Sequence, residues 1–230
     1  MTRRALFLLT QHHQLGTTGL ATGVWADELT SPYYALLDHG FAPALATLNG
    51  GAARFEPRSV NRVGENGGSV DRFLADMQAN RALDSTRPLE DFEPADFDVL
   101  VVPGGHGALW DLGSDGRAGR FVEQALAAEC VVAAACHGPA VLLAGWNTGA
   151  ASAIRGRRVA CFTTAEEWVI GLDTVVPYSL ENRLRELGAD VTTLGPFQPC
   201  AVRDGNLITC QNPQSTFQLV QLTLQALGIA

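Results

Sequence analysis

The sequence feature that most constrains the fold is residues 131–141, VVAAACHGPAV, where a run of small and β-branched residues leads directly to a cysteine. Histidine, glycine and proline then break the run, and an apolar stretch of helical character follows. This order predicts a strand, a one-residue corner at Cys136 and a helix. A side chain on such a corner is held out of the sheet by a strained backbone and needs small neighbours, here Ala134 and Gly138.

Cys136 is therefore a candidate nucleophile. The predicted helix begins directly after it, and the unpaired amides and macrodipole of a helix N-terminus favour a thiolate over a thiol. The alternative is a buried, inert cysteine at the end of a core strand, which is the usual position of a free cysteine. The strand–corner–helix pattern favours the functional interpretation.

Composition limits the partners and the compartment. The chain has 230 residues, of which 47% are hydrophobic, so it can bury a sizeable core. Its 16 basic and 24 acidic residues give a formal charge of −8, and no basic run with interleaved aromatic residues predicts binding to nucleic acid. Five cysteines without CxxC spacing, and apolar runs too short for a signal peptide or a membrane span, predict a reduced, cytoplasmic protein without a membrane partner.

Apolar runs of strand length alternate with helical patterns along most of the chain. The predicted strands are residues 4–10, 41–48, 96–102, 130–135, 158–162 and 190–194, and the predicted helices are residues 24–37, 69–82, 116–128, 164–170, 179–187 and 214–227. Asp204-Gly205 predicts a hairpin between residues 201–203 and 206–210. This order predicts a single α/β domain over residues 1–230, with a doubly wound, mostly parallel, flavodoxin-like sheet and helices on both faces.

Ligands of such a sheet bind at the carboxyl ends of its strands. Two predicted strands end there in sequences that can carry chemistry: residues 103–107, PGGHG, follow one, and Cys136 follows the next. Residues 52–68 are polar and turn-rich, which predicts a surface loop of the kind that often covers a site.

Backbone amides beside the corner are candidates for binding an oxyanion. The N–H groups of Gly104, Gly105 and His137 could together form an oxyanion hole, and His106, in the same turn, is a candidate substrate-binding residue. A tight turn that merely requires glycine explains the GGHG sequence equally well.

A base for the cysteine is the next requirement. His137 follows the nucleophile directly and needs a carboxylate to orient it. Glu166 and Glu167, in the sequence CFTTAEEW, are available, but two acidic residues in the first turn of a helix are common, and spacing alone favours that simpler interpretation. Glu28, near the start of the first predicted helix, is likewise ordinary on its own.

The positions of the histidines exclude several classes of protein. An α/β-hydrolase or a class I glutaminase has its catalytic histidine far downstream of the nucleophile, and here no histidine lies beyond position 137. The histidines also show no metal-ligand spacing with a cysteine or carboxylate cluster, so the sequence predicts no metal site. They are His12, His13, His39, His106 and His137.

Several segments taken together resemble the ThiJ/PfpI superfamily, and specifically its heat-shock-protein-like class, which includes glutathione-independent glyoxalase III. They are PGGHG at 103–107, AACHGPA at 134–140, FTTAEE at 162–167 and QNPQS at 211–215. Residues 22–28, TGVWADE, resemble the opening helix of that class. The similarity runs nearly from end to end.

Residue by residue, this resemblance implies that Cys136 is the nucleophile, His137 its neighbouring triad member and Glu167 the carboxylate that orients the histidine. It implies that Glu28 is the acid/base facing the sulfur, a role that requires a raised pKa for that carboxyl. The implied activity is the conversion of a 2-oxoaldehyde such as methylglyoxal to the 2-hydroxy acid with water and no added cofactor. A homodimer is implied as well.

The chain departs from the class at Cys161 and Cys210, where glycine is usual. These two sulfurs are expected to face the site, where they would narrow the pocket or add a redox element. Trp25 and Trp110 are expected either as pocket walls or as core aromatics. Three alternative functions stay open: a holding chaperone or redox sensor that uses Cys136, an isocyanide hydratase, and a deglycase.

Overall fold

The computed structural model describes residues 3–144 and 154–229. Its strands are β1 (Arg4–Leu8), β2 (Ala42–Thr47), β3 (Arg87–Pro88), β4 (Val99–Val102), β5 (Val131–Ala135), β6 (Arg158–Val159), β7 (Asp190–Val191), β8 (Ala201–Asp204) and β9 (Leu207–Cys210). Seven of them form one sheet in the order β3-β2-β1-β4-β5-β9-β8. Its neighbouring strands are parallel, except for the antiparallel hairpin of β8 and β9. The predicted mostly parallel sheet and the hairpin are confirmed.

Helices cover both faces of this sheet. They are α1 (Ala26–Asp38), α2 (Gly68–Ala75), α3 (Met77–Asp84), α4 (Gly116–Ala127), α5 (Val141–Ala144), α6 (Thr164–Val169), α7 (Leu180–Glu186) and α8 (Thr216–Ala226). Successive strand side chains point to opposite faces. In β4, Leu100 and Val102 pack in the layer that contains α4, α5 and α7, whereas Val99 and Val101 pack in the layer of α1, α2, α3 and α8. Burial on both faces explains why the strands read as continuous apolar runs.

Residues 69–82, predicted as one helix, form parts of two. The break is at Asp76, whose carboxylate accepts hydrogen bonds from the backbone N–H groups of Gln78 and Ala79 and so caps α3. A short polar side chain that bonds to the following amides begins a new helix instead of continuing the old one.

Three further differences concern the edges of the fold. The short edge strand β3 was not predicted, and β6 and β7 pair with each other in a separate two-stranded sheet. The segment 52–68, predicted as a surface loop, is buried at Ala53 and Glu56 and forms a β-bridge between Phe55 and Val24. No helix in residues 3–144 or 154–229 is long and apolar enough to cross a bilayer. The part of the helix predicted after Cys136 that extends beyond Ala144 lies outside the described residues.

The strand order places a crevice where functional residues can converge. From β1 the chain adds β2 on one side, and later adds β4 and β5 on the other. The order therefore reverses between β1 and β4, and ligands of doubly wound sheets bind at the carboxyl ends of the strands at such a point. Gly104 follows β4 at this edge, and Cys136 follows the neighbouring β5.

Candidate active site

Cys136 is the corner residue between β5 and the turn that follows it. Its φ is +57°, in the left-handed region that residues other than glycine rarely adopt. Its N–H donates to the carbonyl of Cys210 and its carbonyl accepts from the N–H of Phe162, both at 2.9 Å. A Cβ on Gly138 would lie 2.2 Å from the carbonyl oxygen of Val102, so only glycine lets the turn pass so close to β4. The chain thus has the strained geometry of a nucleophile elbow.

His137 lies between the sulfur and a carboxylate. Its Nδ1 is 3.2 Å from Cys136 Sγ, and its Nε2 is 2.7 Å from Glu167 Oε1. Burial raises the pKa of the Glu167 carboxyl, but hydrogen bonds from His106 and His137 outweigh this effect and hold the pKa at about 2. The ionised carboxylate can only accept, so its hydrogen bond assigns the ring proton to Nε2 and leaves Nδ1 as an acceptor facing the sulfur.

Glu166, the other carboxylate considered from the sequence, has a different place. It forms a capping box with Thr163 at the start of α6. Its Oε1 accepts hydrogen bonds from Asn212 Nδ2 at 2.7 Å and from the Phe197 N–H at 2.9 Å. Glu166 therefore ties α6 to the neighbouring segments, while Glu167 reaches His137.

His106 binds the same carboxylate as His137. Its Nε2 lies 3.2 Å from Glu167 Oε2, and its ring centroid is 4.1 Å from that of His137. Burial, followed by the nearby His137, lowers the pKa of His106 to about 4, so the ring is neutral at pH 7. The sequence singled out His106 for substrate binding but gave no signal for its contact with Glu167, because only the pairing of β4 and β5 brings the turns that carry the two histidines together.

Glu28 is fully buried in the first turn of α1. Its Oε2 accepts a 2.8 Å hydrogen bond from the Gly104 N–H, while Oε1 is the one buried side-chain oxygen or nitrogen in the described ranges without a hydrogen-bond partner. Burial raises the pKa of this carboxyl to about 8, against the lowering effects of the Gly104 N–H and the adjacent Cys136 thiol. A neutral carboxyl therefore stands beside the sulfur at pH 7.

The surroundings of Cys136 oppose the thiolate that the sequence predicts. Burial, followed by the nearby charge of Glu28 when that group ionises, raises the pKa of the thiol well above its ordinary value. The chain continues as one 3₁₀ turn, Gly138–Ala140, before α5. Attack by the sulfur then requires a base, and His137 Nδ1 is the adjacent acceptor.

The amide of Gly104 is already engaged, which corrects its predicted role as an oxyanion donor. It donates to Glu28, and a Cβ at this position would lie 2.7 Å from Glu28 Oε2 and 2.8 Å from Cys136 Cβ. Gly104 thus allows the carboxyl and the cysteine to approach each other. Across the described ranges, the amides of Gly105 and His137 donate to no protein acceptor and remain available for an oxyanion.

A cavity of about 260 Å³ opens at the sulfur. Its lining residues are Trp25, Arg58, His106, Cys136, His137, Phe162, Ile170, Phe197, Pro213 and Gln214. A cavity of this size, slightly below the usual range of about 300–1,000 Å³ for ligand pockets, suits a substrate with few non-hydrogen atoms.

Two sulfurs expected to face the pocket lie elsewhere, and Trp110 takes the second of its two expected positions. Trp110 packs against the core and stacks on His12, with ring centroids 5.0 Å apart. Cys161 and Cys210 are fully buried in the two core layers of the sheet and are absent from the cavity wall. The expectation that these sulfurs narrow the pocket is therefore wrong, whereas Trp25 does form part of the wall.

His106, His137 and Glu167 are also donor types that metals prefer. One ligand atom from each lies within 4.8 Å of the others, a grouping that the spacing of the histidines did not predict. In this structure the two Nε2 atoms face the carboxylate at hydrogen-bond distance. The three groups thus satisfy one another without a metal ion, and the prediction of no metal ligands stays a prediction.

Comparison with known proteins identifies the family. The model of the DJ-1/PfpI family matches residues 19–226. The chain belongs to the DJ-1/PfpI family. Rapid Encystment Protein 24 kDa of Francisella tularensis is 32% identical to this DJ-1/PfpI member, with a TM-score of 0.92 and coverage of 98% of this chain and 99% of that one.

Two further relatives of this DJ-1/PfpI member carry the name glyoxalase. The crystal structure of glyoxalase III from Candida albicans superposes with a TM-score of 0.86 at 26% identity and covers 97% of each chain. Glutathione-independent glyoxalase hsp3101 of Schizosaccharomyces pombe is 29% identical over 208 residues, which are 86% of this chain and 84% of that protein. The predicted fold and the resemblance drawn from the sequence motifs are confirmed.

Proposed function

We propose that this protein is a glutathione-independent glyoxalase that converts a small 2-oxoaldehyde, such as methylglyoxal, and water to the 2-hydroxy acid. One observation carries the proposal: the Cys136 thiol stands between an acceptor nitrogen of His137 and the neutral carboxyl of Glu28. The small cavity at the sulfur and the relatives that carry the name glyoxalase support it.

In the first step, His137 Nδ1 takes the thiol proton while Cys136 Sγ attacks the aldehyde carbon. The new C–S bond converts the aldehyde oxygen to an oxyanion, to which the amides of Gly105 and His137 are available as donors. Glu28 donates its proton to this oxygen. The result is a hemithioacetal, with the proton of the thiol on His137 and Glu28 ionised.

The second step moves hydrogen between adjacent carbons. The Glu28 carboxylate removes the proton from the carbon bonded to sulfur, and the His137 imidazolium protonates the ketone oxygen, which gives an enediol. Glu28 then returns its proton to the neighbouring carbon while His137 takes the hydroxyl proton from the carbon bonded to sulfur. The product is the thioester of the 2-hydroxy acid, and a carboxyl with a pKa of about 8 can both release and regain a proton near neutral pH.

Hydrolysis completes the cycle. Water attacks the thioester carbonyl and loses a proton to the Glu28 carboxylate, while the departing sulfur of Cys136 regains a proton from His137. The 2-hydroxy acid leaves, and all three groups return to their starting protonation states. The cycle consumes one water and needs no electron acceptor.

The direct test is lactate formation from methylglyoxal in the absence of glutathione, measured with the wild-type protein. Lactate formation that saturates with methylglyoxal supports the proposal, and its absence overturns it.

A chaperone role is tested in parallel with Cys136→Ser, which should lose turnover but still suppress client aggregation if holding is independent of the site. The raised pKa of the buried thiol does not favour a peroxide sensor, which requires an accessible thiolate.

His106→Phe is expected to raise the pH below which activity is lost. The variant removes one of the two donors that hold the Glu167 pKa at about 2, so this pKa rises and the carboxylate is lost at a higher pH. We expect kcat/KM at pH 7 to fall about tenfold, which is the order of one lost hydrogen bond to a charged group, and the acid limb of the pH profile to move upward. His39→Phe, at an exposed histidine, is the control. An unchanged acid limb would show that His106 does not act through Glu167.

A further inference from the structure

Arg58 is the one residue with a permanent charge among the described residues that line the cavity. The other lining residues are aromatic, aliphatic or neutral polar groups, apart from the thiol and the two rings of the site. An oxygen atom of a bound substrate that lies away from the sulfur therefore has few polar partners. The guanidinium of Arg58 supplies donors and positive charge on this largely apolar wall.

A buried carboxylate anchors this guanidinium. Arg58 Nε donates to Glu56 Oε1 at 2.8 Å, and Glu56 also accepts a 2.7 Å hydrogen bond from Thr22 Oγ1. Burial raises the pKa of Glu56, but the hydrogen bonds from Arg58 and Thr22 outweigh this effect and keep the carboxyl ionised. Glu56 is fully buried, so the base of the guanidinium is fixed to the body of the protein.

The outer nitrogens of Arg58 keep donor capacity for a ligand. In residues 3–144 and 154–229, Nη1 forms no hydrogen bond, and Nη2 has one long contact, 3.5 Å to His106 Nδ1. The same contact places the guanidinium next to His106, which stacks within 4.1 Å of His137. A guanidinium that is anchored through Nε and has free N–H groups on its outer nitrogens can donate to two oxygen atoms of a ligand.

We propose that Arg58 is the substrate-binding residue that selects ligands with two adjacent oxygen-bearing carbons, and that it holds the carboxylate of the 2-hydroxy acid product. The part that concerns turnover rests on the proposed glyoxalase function. A 2-oxoaldehyde has a ketone oxygen next to the carbon that the sulfur attacks, and the guanidinium donates to this oxygen in the bound substrate, before His137 protonates it. A monoaldehyde of the same size lacks this contact.

The test uses two ligands that differ mainly in charge, L-lactate and L-lactamide, with D-lactate and D-lactamide as a second pair. Binding to the wild-type protein is measured by calorimetry or ligand-observed NMR without turnover. We expect at least one lactate enantiomer to bind about tenfold or more tightly than its amide, and this ratio to fall to about one in Arg58→Gln. Arg58→Lys keeps the charge but loses the fixed pair of donors, so its ratio should lie between these values.

Two controls separate this role from a structural one. Arg54→Gln removes an exposed arginine of the same segment outside the cavity wall and should leave the ratio unchanged. The double variant Glu56→Gln/Arg58→Gln leaves no unpaired carboxylate in the interior, so it should fold. Its ratio of lactate affinity to lactamide affinity should nevertheless fall to about one. Equal binding of lactate and its amide by the wild type, or a ratio retained in the double variant, overturns the proposal.

Turnover provides an independent readout. We expect Arg58→Gln to raise the KM for methylglyoxal about tenfold, with a smaller change in kcat, because it removes a contact to the ketone oxygen of the bound substrate. A wild-type protein that discriminates lactate from lactamide but forms no lactate would retain the Arg58 site and overturn the glyoxalase function. A wild-type protein that forms lactate but binds lactate and lactamide equally would retain the glyoxalase function and overturn the Arg58 site.

Discussion

Replacing Glu28 with glutamine is expected to reduce lactate formation from methylglyoxal by about three orders of magnitude, within the range for loss of a general acid–base group. Glutamine has nearly the same shape, and its oxygen can still accept the hydrogen bond from Gly104. It cannot release or regain a proton, however, and both carbon–hydrogen steps of the proposed mechanism require this exchange. The measurement is the initial rate at saturating methylglyoxal.

The same variant should change how stability depends on pH. The pKa of Glu28 is about 8 in the folded protein and near 4.5 in the unfolded chain, so between these values the folded protein holds a proton that the unfolded chain has released. The stability from this group is complete below about pH 4.5 and is lost as pH rises toward 8, at up to about 1.4 kcal/mol per pH unit. Urea unfolding at pH 5.5, 6.5 and 7.5 should show this loss in the wild type, while the Glu28→Gln variant should lack that contribution.

Glu65→Gln is the matched control, because it removes an exposed glutamate from a turn that does not line the cavity. It should retain both the activity and the pH dependence of the wild type. Parallel stability curves for the wild type and Glu28→Gln would contradict a raised pKa at Glu28. Full activity in Glu28→Gln would remove this residue from the mechanism.

Replacing Cys136 with alanine or with glycine is expected to abolish lactate formation, yet the two variants should differ in stability. The corner φ of +57° strains any residue with a Cβ, and glycine adopts it without that cost. Cys136→Gly should therefore be about 1 kcal/mol more stable than Cys136→Ala in urea unfolding, even though glycine in most regular structure is the less stable of the two.

Cys130→Ala is the control for this pair, because Cys130 is a buried cysteine at the other end of β5. It should keep full activity while it loses some stability through the lost packing. Residual turnover in Cys136→Ala would contradict a covalent role for the sulfur. A Cys136→Gly variant that is less stable than Cys136→Ala would contradict the strain at the corner.

The sequence predicted the framework of the fold because that framework follows from local patterns. Alternating apolar runs and amphipathic stretches were sufficient for the strand and helix order, and the corner at Cys136 could be read from its small neighbours. The positions of Glu28 and Glu167 early in predicted helices are common for acidic residues and did not indicate a catalytic role. Only the family resemblance assigned one to each of them. The structure brings both carboxyls to the cysteine and its histidine.

The differences from the sequence predictions arise where tertiary context acts against a local signal. The predicted thiolate considered the helix N-terminus but not the burial that raises the pKa of Cys136. Gly104 was expected to offer its amide to an oxyanion, but Glu28 accepts that hydrogen bond. The positions of Arg58 and His106 beside each other depend on a segment that packs back over the sheet edge, and no sequence pattern marks such a contact.

The two backbone hydrogen bonds at the corner join Cys136 to Cys210 on one side and to Phe162 on the other. Because Cys210 is the last residue of β9, the reactive group cannot separate from the central sheet without breaking that strand pairing. Heat inactivation should thus coincide with melting of the sheet as a single event. Loss of catalysis would then serve as a reporter of global unfolding in this protein.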